Sequence, residues 1–209
     1  MFKLIGKKDE DVMALSPMLE LNSSGDVWLS YGLDLENRII ELTGIVAEPM
    51  LTFTLRSLVK LNLINNNPIT IYLSSAGGNI FDGLAIYDLL RASPSEIVVY
   101  ASGKVCSMGI ILLIAGDERF AGPNTRFMMH SASHSTEGKV SDTKADVSEV
   151  EFQDNMTTKL LISRSKLTKR ILNELLSGAD HWFGVATARK YGILTDIKLT
   201  KPTKKVKKK

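Results

Sequence analysis

The feature that most constrains the fold is a pattern that the centre of the chain uses twice. Residues 69–78 (ITIYLSSAGG) are a β-branched run with paired glycines, and residues 79–92 continue with helical periodicity. Residues 96–107 (EIVVYASGKVCS) are again a strand with a Gly-bearing loop, and residues 108–118 are again helical. Two such units of about 30 residues predict parallel strands whose loops open at the same edge of one sheet. We therefore predict an α/β fold.

Weaker sequence signals predict further strands and helices before and after these two units. The other predicted elements are a hairpin over 13–30, a strand within 35–46 that ends at Gly44, a helix over 49–65, a strand over 125–133, a loop over 134–146, a long amphipathic helix from about Asp146 to Arg164, a helix over 166–178 and a last short helix ending at Gly192. Helical spacing, turn residues and C-terminal glycines are the signals for these boundaries.

Composition limits the class of protein. The chain has 209 residues, of which 44% are hydrophobic and 23% are charged, so it can bury one sizeable core. No apolar run approaches the roughly 18 to 20 residues of a membrane span, and the N-terminal MFKLIGKKDED turns acidic too early for a secretory signal. The single cysteine, Cys106, fits a reducing compartment. We expect a soluble, intracellular protein.

The net charge of +3 is concentrated at the C-terminus. Six lysines lie in the last nine residues, KPTKKVKKK, and removing them leaves a net charge of about −3. This tail predicts a solvated, disordered terminus, and the alternative is an electrostatic contact with nucleic acid or an acidic partner. Nothing elsewhere interleaves aromatic with basic residues, so nucleic acid is not the expected partner.

The two repeated loops and the following strand contain groups suited to acyl transfer. That chemistry needs a nucleophile, a base, a group that orients the base, and N–H donors for the oxyanion. Ser107 opens the second, apolar helix, where the N–H of Met108 points outward as a donor. Gly78 has no Cβ to obstruct a substrate, and His130 ends the next strand. The carboxylate must come from elsewhere in the chain.

Each candidate also has an ordinary structural explanation. A serine before an apolar helix is usually an N-cap, and Asp180 ahead of a short helix fits the same role. His130 fits a hydrogen-bonded histidine at a strand end. Cys106 is an alternative nucleophile, because a thiolate beside a base is reactive. Adjacent side chains in an extended loop point in opposite directions, so a Ser107 that faces the site leaves Cys106 in the packing behind it.

Several sequence blocks together resemble the ClpP family, the proteolytic subunits of Clp proteases. They are 75–78 (SAGG), 103–109 (GKVCSMG), 123–130 (PNTRFMMH) and 191–197 (YGILTDI), and the similarity covers about residues 16–197 in order. The resemblance implies a ClpP/crotonase-like spiral of β-β-α repeats with a protruding helical handle. The implied organisation is an N-terminal segment with an axial hairpin over 1–30, a catalytic domain over 31–197 with its handle at about 134–165, and a basic disordered tail over 198–209.

The resemblance also implies a serine endopeptidase that acts on peptides and unfolded proteins. It makes Ser107 the nucleophile, His130 the general base and then acid, and Asp180 the orienting carboxylate, placed by counting back from the Tyr-Gly motif. Gly78 and Met108 become the oxyanion donors.

The implied partners are a Clp-type ATPase unfoldase and further copies of the chain in stacked heptameric rings, in the cytoplasm. No cofactor or metal is expected, because the sequence has no P-loop or metal-ligand cluster. Two alternatives remain at this point: an acyl-CoA enzyme of the crotonase type and a non-catalytic ring component.

Overall fold

The computed structural model describes residues 31–131 and 140–195, which follow the predicted α/β pattern. The strands are β1 (Leu33–Asp34), β2 (Ile39–Val46), β3 (Ile69–Gly78), β4 (Ile97–Cys106), β5 (Glu118–Ala121), β6 (Arg126–Met129) and β7 (His181–Gly184). The helices are α1 (Glu48–Ile64), α2 (Ile80–Ala92), α3 (Met108–Ala115), α4 (Val140–Arg164), α5 (Lys169–Leu176) and α6 (Val185–Lys190). The predicted hairpin over 13–30 and the tail over 198–209 lie outside the described residues.

The strands form one sheet in the order β1-β2-β3-β4-β6-β7, with β5 also beside β4. Strands β2, β3 and β4 are parallel, whereas β1 and β7 pair antiparallel at the two ends. Strand β4 changes partner along one edge: residues 98–101 pair with β5, and residues 104–106 pair with β6. The carboxyl ends of β3, β4 and β6 therefore meet at one edge of the sheet, as predicted from the repeated units.

The burial pattern of the central strands identifies the face of the sheet on which the helices pack. Strand β3 buries every second side chain, including Ile69, Ile71 and Leu73, and this face packs into a single hydrophobic core with α1, α2 and α3. All eight residues of α3 are buried, which confirms the prediction from its uniformly apolar sequence. The rigid core fixes where the N-terminus of α3 lies relative to the sheet edge.

The last carbonyls of α3 are hydrogen-bonded by two arginines. Arg164 donates to the carbonyl oxygens of Ile114 and Gly116 at 3.2 and 2.9 Å, and Arg91 donates to that of Ala115 at 3.2 Å. A helix end leaves such groups without intrahelical partners, and cations are favourable there. The C-terminus of this buried helix is thus satisfied by the protein itself.

Some predicted boundaries were wrong. The loops assigned around the glycines of 69–78 and 96–107 are strand up to Gly78 and Cys106, and the helix over 108–118 ends at Ala115. The strand expected to stop at Gly44 continues to Val46 through a register shift. Of the strand predicted over 125–133, the described residues 125–131 form only β6. In each case pairing with a neighbouring strand, which single-sequence periodicity does not report, decides where the element ends.

The long helix and three short strands also differ from the prediction. Helix α4 begins at Val140, within the predicted loop, because a polar stretch without Gly or Pro can propagate a helix without showing an apolar stripe. Strands β1, β5 and β7 were not predicted. They have two to four residues and are extended because each pairs with another strand of the sheet.

Asp117 links three elements at the C-terminal end of α3. Its carboxylate accepts hydrogen bonds from Arg91 and from the N–H of Ile97, and Arg164 lies 3.8 Å away. Burial opposes ionisation, but these donors and charges outweigh it and hold the pKa of Asp117 below its usual value. A lowered pKa stabilises the folded state above the ordinary carboxyl pKa, and this contribution disappears as the pH falls through the folded value.

We predict that the wild-type chain loses part of its thermal stability as the pH is lowered below about 4. Asp117→Asn removes the charge and should make this acid-induced loss smaller, while the variant is less stable than wild type at pH 7. The measurement is the melting temperature between pH 3 and 7. Glu36→Gln, at an exposed site, is the control, and an unchanged pH profile in Asp117→Asn would contradict the assignment.

Candidate active site

Ser107 stands between β4 and α3 in a conformation that serine rarely adopts. Its φ is +52° and its ψ is −123°, a positive-φ backbone that costs a non-glycine residue about 1–3 kcal/mol. Although Ser107 occupies the N-cap position of α3, its side chain makes no capping hydrogen bond. Its Oγ lies instead 3.0 Å from Nε2 of His130. The strained turn directs the hydroxyl away from the helix and towards the histidine.

Strand pairing sets the distance between Ser107 and His130. Cys106 pairs with Met128 in the parallel register of β4 and β6, and the N–H of Ser107 continues the ladder by donating to the carbonyl of Met128 at 2.8 Å. His130 follows directly after β6. The two side chains therefore leave neighbouring strands at the same edge, one and two residues beyond the last pair.

Asp180 reaches the same edge through the unpredicted strand β7. Met129 of β6 pairs with His181 of β7 in antiparallel register, so the residue after Met129 and the residue before His181 are neighbours. The Oδ1 of Asp180 lies 3.7 Å from Nδ1 of His130, which is within ion-pair range but longer than a hydrogen bond. Such contacts often tighten only when substrate is bound. The Asp180 side chain is 54% exposed, so water still reaches it.

The oxyanion donors predicted from the sequence are the backbone N–H groups of Met108 and Gly78. Among the described residues, the N–H of Met108 at the start of α3 donates no backbone hydrogen bond, in contrast to the arginine-bonded carbonyls at the other end. The N–H of Gly77 is occupied, since it donates to the buried Oγ of Ser75 at 3.0 Å. Of the two paired glycines, this leaves the N–H of Gly78 as the donor candidate that sequence reasoning selected.

Gly77 is the glycine that touches the nucleophile candidate. A Cβ built on it would lie 2.7 Å from the carbonyl oxygen of Cys106 and 2.7 Å from Cβ of Ser107, and its φ is +87°. The sequence pattern predicts a role for Gly78 of this pair but not this contact of Gly77. Nor does it indicate Ser75, which is 1% exposed and donates to the carbonyl of Gly44. A serine at an inward-facing strand position was the available signal.

Cys106 packs behind the site. Its side chain is 2% exposed, and burial raises the pKa of its thiol, with the charge of Asp180 adding to the shift and Lys104 opposing it. A buried thiol with a raised pKa is a poor nucleophile at neutral pH. This geometry matches the expectation that adjacent side chains point in opposite directions.

A cavity of about 60 Å³ lies against Ser107 and His130. Apolar side chains dominate its wall: Ile80, Met108, Ile110, Ile111, Met129, Leu161 and Leu176. Asp154, Thr157 and Thr158 of α4 complete it, and sequence reasoning had not singled these out. Among the described residues, no group of three or more His, Cys, Asp and Glu is placed to hold a metal. None of the helices in that part of the chain has the length and hydrophobicity of a membrane span.

The parallel strands and the Ser–His–Asp cluster at their carboxyl edge define a class, the serine-type hydrolases with an α/β fold. A family model described as Clp protease matches residues 23–201. The chain belongs to the Clp protease family, which is a family of serine-type peptidases, and its fold is ClpP/crotonase-like.

Individual relatives agree with this assignment. The ATP-dependent Clp protease proteolytic subunit of Carsonella ruddii (strain PV) is 28% identical over an alignment of 188 residues, which covers 88% of this chain and 95% of that protein. The solved structure of a ClpP1 point mutant from Listeria monocytogenes superposes with a TM-score of 0.70 at 25% identity, covering 77% of this chain and 90% of that one. The family resemblance in the sequence blocks is thereby confirmed.

We predict that Gly77→Ala lowers peptide hydrolysis at least tenfold. The new Cβ would collide with the Cys106 carbonyl and with Ser107, and its left-handed backbone adds strain of about 1–2 kcal/mol. Gly178→Ala is the matched control, because its φ is +95° but nothing lies within 4 Å of the added Cβ. Initial rates of cleavage of a short fluorogenic peptide, compared with the melting temperatures of both variants, separate a loss of activity at the site from a loss of stability. Equal activity losses in both variants would refute a specific role for the Gly77 contact.

Proposed function

We propose that the protein is a serine endopeptidase in which Ser107, His130 and Asp180 act as the catalytic triad. Ser107 Oγ attacks the carbonyl carbon of the scissile peptide bond while its proton moves to Nε2 of His130. The oxyanion of the tetrahedral intermediate accepts hydrogen bonds from the N–H groups of Met108 and Gly78. His130 then gives the proton to the leaving amine. Water, activated by the same histidine, hydrolyses the acyl-enzyme and regenerates Ser107.

The observation that carries this proposal is the 3.0 Å contact between Ser107 Oγ and His130 Nε2, made by a serine in a strained backbone. A serine that served only as a helix cap would need neither the contact nor the strain. The position of Asp180 also supports the proposal, because it lies on the Nδ1 side of His130, where a carboxylate orients the ring and stabilises the imidazolium. A crotonase-type enzyme would not require these three side chains together.

We also propose that the chain works in the cytoplasm as stacked heptameric rings to which a Clp-type ATPase unfoldase delivers unfolded proteins. Exposed apolar side chains support burial against other copies: Val147, Phe152 and Met156 on α4, and Leu55, Val59 and Leu63 on α1. Helix α4 is the counterpart of the predicted handle. ATP would be used by the partner, and peptide hydrolysis itself would need no cofactor.

We expect Ser107→Ala to abolish peptide hydrolysis, with kcat falling by several orders of magnitude. Cys106→Ala should retain most of the activity, at a stability cost of about 1 kcal/mol for a smaller buried side chain. The readouts are cleavage of a fluorogenic peptide and labelling by a fluorophosphonate probe, which should require Ser107, His130 and Asp180. The opposite pattern in the two variants would assign the nucleophile to Cys106, and labelling without His130 or Asp180 would argue against a triad.

Assembly is tested by native mass spectrometry of the full chain with and without a candidate unfoldase. We expect species of seven or fourteen copies, and degradation of an unfolded protein only when the unfoldase and ATP are present. Replacing Phe152 and Met156 with serine should weaken stacking, because two exposed apolar groups on α4 are removed. A chain that stays monomeric under all these conditions would rule out the ring proposal.

A further inference from the structure

The cavity beside Ser107 and His130 is where a substrate side chain would enter. When Ser107 attacks a peptide carbonyl, the side chain on the acyl side of that bond projects into the neighbouring pocket, and the pocket wall then sets specificity. A volume of about 60 Å³ is on the scale of a side chain, well below that of ordinary ligand pockets. The composition of this wall therefore bears on which peptide bonds are cleaved.

Asp154 is the acidic residue in this otherwise mainly apolar wall. Its backbone carbonyl accepts a hydrogen bond from Thr157 at 3.0 Å, but its carboxylate forms no hydrogen bond or ion pair within the described part of the chain. The residue is partly buried, on the face of α4 that also contributes Thr158 and Leu161 to the cavity. Within the described residues no lysine or arginine lines this cavity, so the Asp154 carboxylate is free to pair with a cationic group of a substrate.

We propose that Asp154 is a specificity-determining residue, which makes the pocket accept a lysine or arginine side chain on the acyl side of the cleaved bond. The inference rests on the proposed peptidase function. The aliphatic stem of such a side chain packs on the apolar wall formed by residues such as Ile111 and Met129, and its charged end pairs with the carboxylate.

The cost of removing water from the Asp154 carboxylate decides which substrate side chain the pocket favours. A leucine in the pocket removes water from the Asp154 carboxylate and offers no replacement, which is unfavourable for a buried charge. A glutamate adds repulsion between like charges. A lysine replaces the lost water with an ion pair and still buries its methylene groups. The expected order of preference is therefore lysine or arginine, then leucine, then glutamate.

The neighbouring cavity, of about 320 Å³, also has acidic residues in its wall. Gly78 and the first residues of α2 line one part of it, and Asp146 and Glu149, from the same helix as Asp154, line another. Glu149 accepts a hydrogen bond from Gln153 at 3.1 Å and remains exposed. Within residues 31–131 and 140–195, neither cavity has a lysine or arginine in its wall. The negative charges of Asp146, Glu149 and Asp154, all on α4, favour the approach of cationic peptide segments.

The test uses the full assembled chain and three fluorogenic peptides that differ only in having lysine, leucine or glutamate on the acyl side of the cleaved bond. We expect kcat/KM for the lysine peptide to exceed that for the leucine peptide about five- to tenfold at low salt. Asp154→Asn should bring this ratio close to one. Asp154→Lys should reverse the order of the lysine and glutamate peptides, which a general loss of folding would not do.

Glu151→Gln is the matched control, because it removes an exposed negative charge from α4 outside both cavities and should keep the wild-type ratio. Efficient leucine cleavage by wild type with little lysine cleavage, or an unchanged ratio in Asp154→Asn, overturns the role of Asp154 while the peptidase function stands. If no peptide is cleaved and a fluorophosphonate does not label Ser107, the proposed function fails, and the specificity fails with it.

Discussion

The complete burial of α3 is the constraint on which the rest of this structure depends. An eight-residue helix that is apolar on every side has to be enclosed by the sheet and the other helices, and this fixes both of its ends. Close packing resists displacement, so the strained backbone of Ser107 at its N-terminus is maintained by its surroundings. The position of the candidate nucleophile is thus a consequence of core packing.

The two ends of α3 differ in how their terminal backbone groups are hydrogen-bonded. At the C-terminal end, Arg91 and Arg164 satisfy the carbonyls and Asp117 holds the arginines in place. At the N-terminal end, the N–H of Met108 has no backbone acceptor in the described residues, and the Ser107 side chain does not cap the helix. Polar groups left without partners beside a cavity are suited to bind a ligand's oxygen.

Most residues of the candidate site could be proposed from the sequence, because the loops of the two repeated units end at a common edge of the sheet. Ser107, His130 and Gly78 follow from that topology, whereas Asp180 required the family resemblance. No local pattern links Asp180 to His130, since their proximity depends on the four-residue strand β7. Asp154 was missed for the same reason: the amphipathic pattern of α4 indicates a helix but not which cavity each of its faces lines.

The sequence by itself determined the α/β class, the parallel central strands and the burial of α3, because hydrophobic periodicity and paired glycines are local properties. Tertiary structure decided the partner change along β4, the existence of β5 and β7, and the 3.0 Å contact between Ser107 and His130. It also decided that Gly77 abuts Ser107 and that Asp154 of α4 lies in the wall of the cavity beside it. These are distances between residues far apart in the chain, and only the packing of the complete core fixes them.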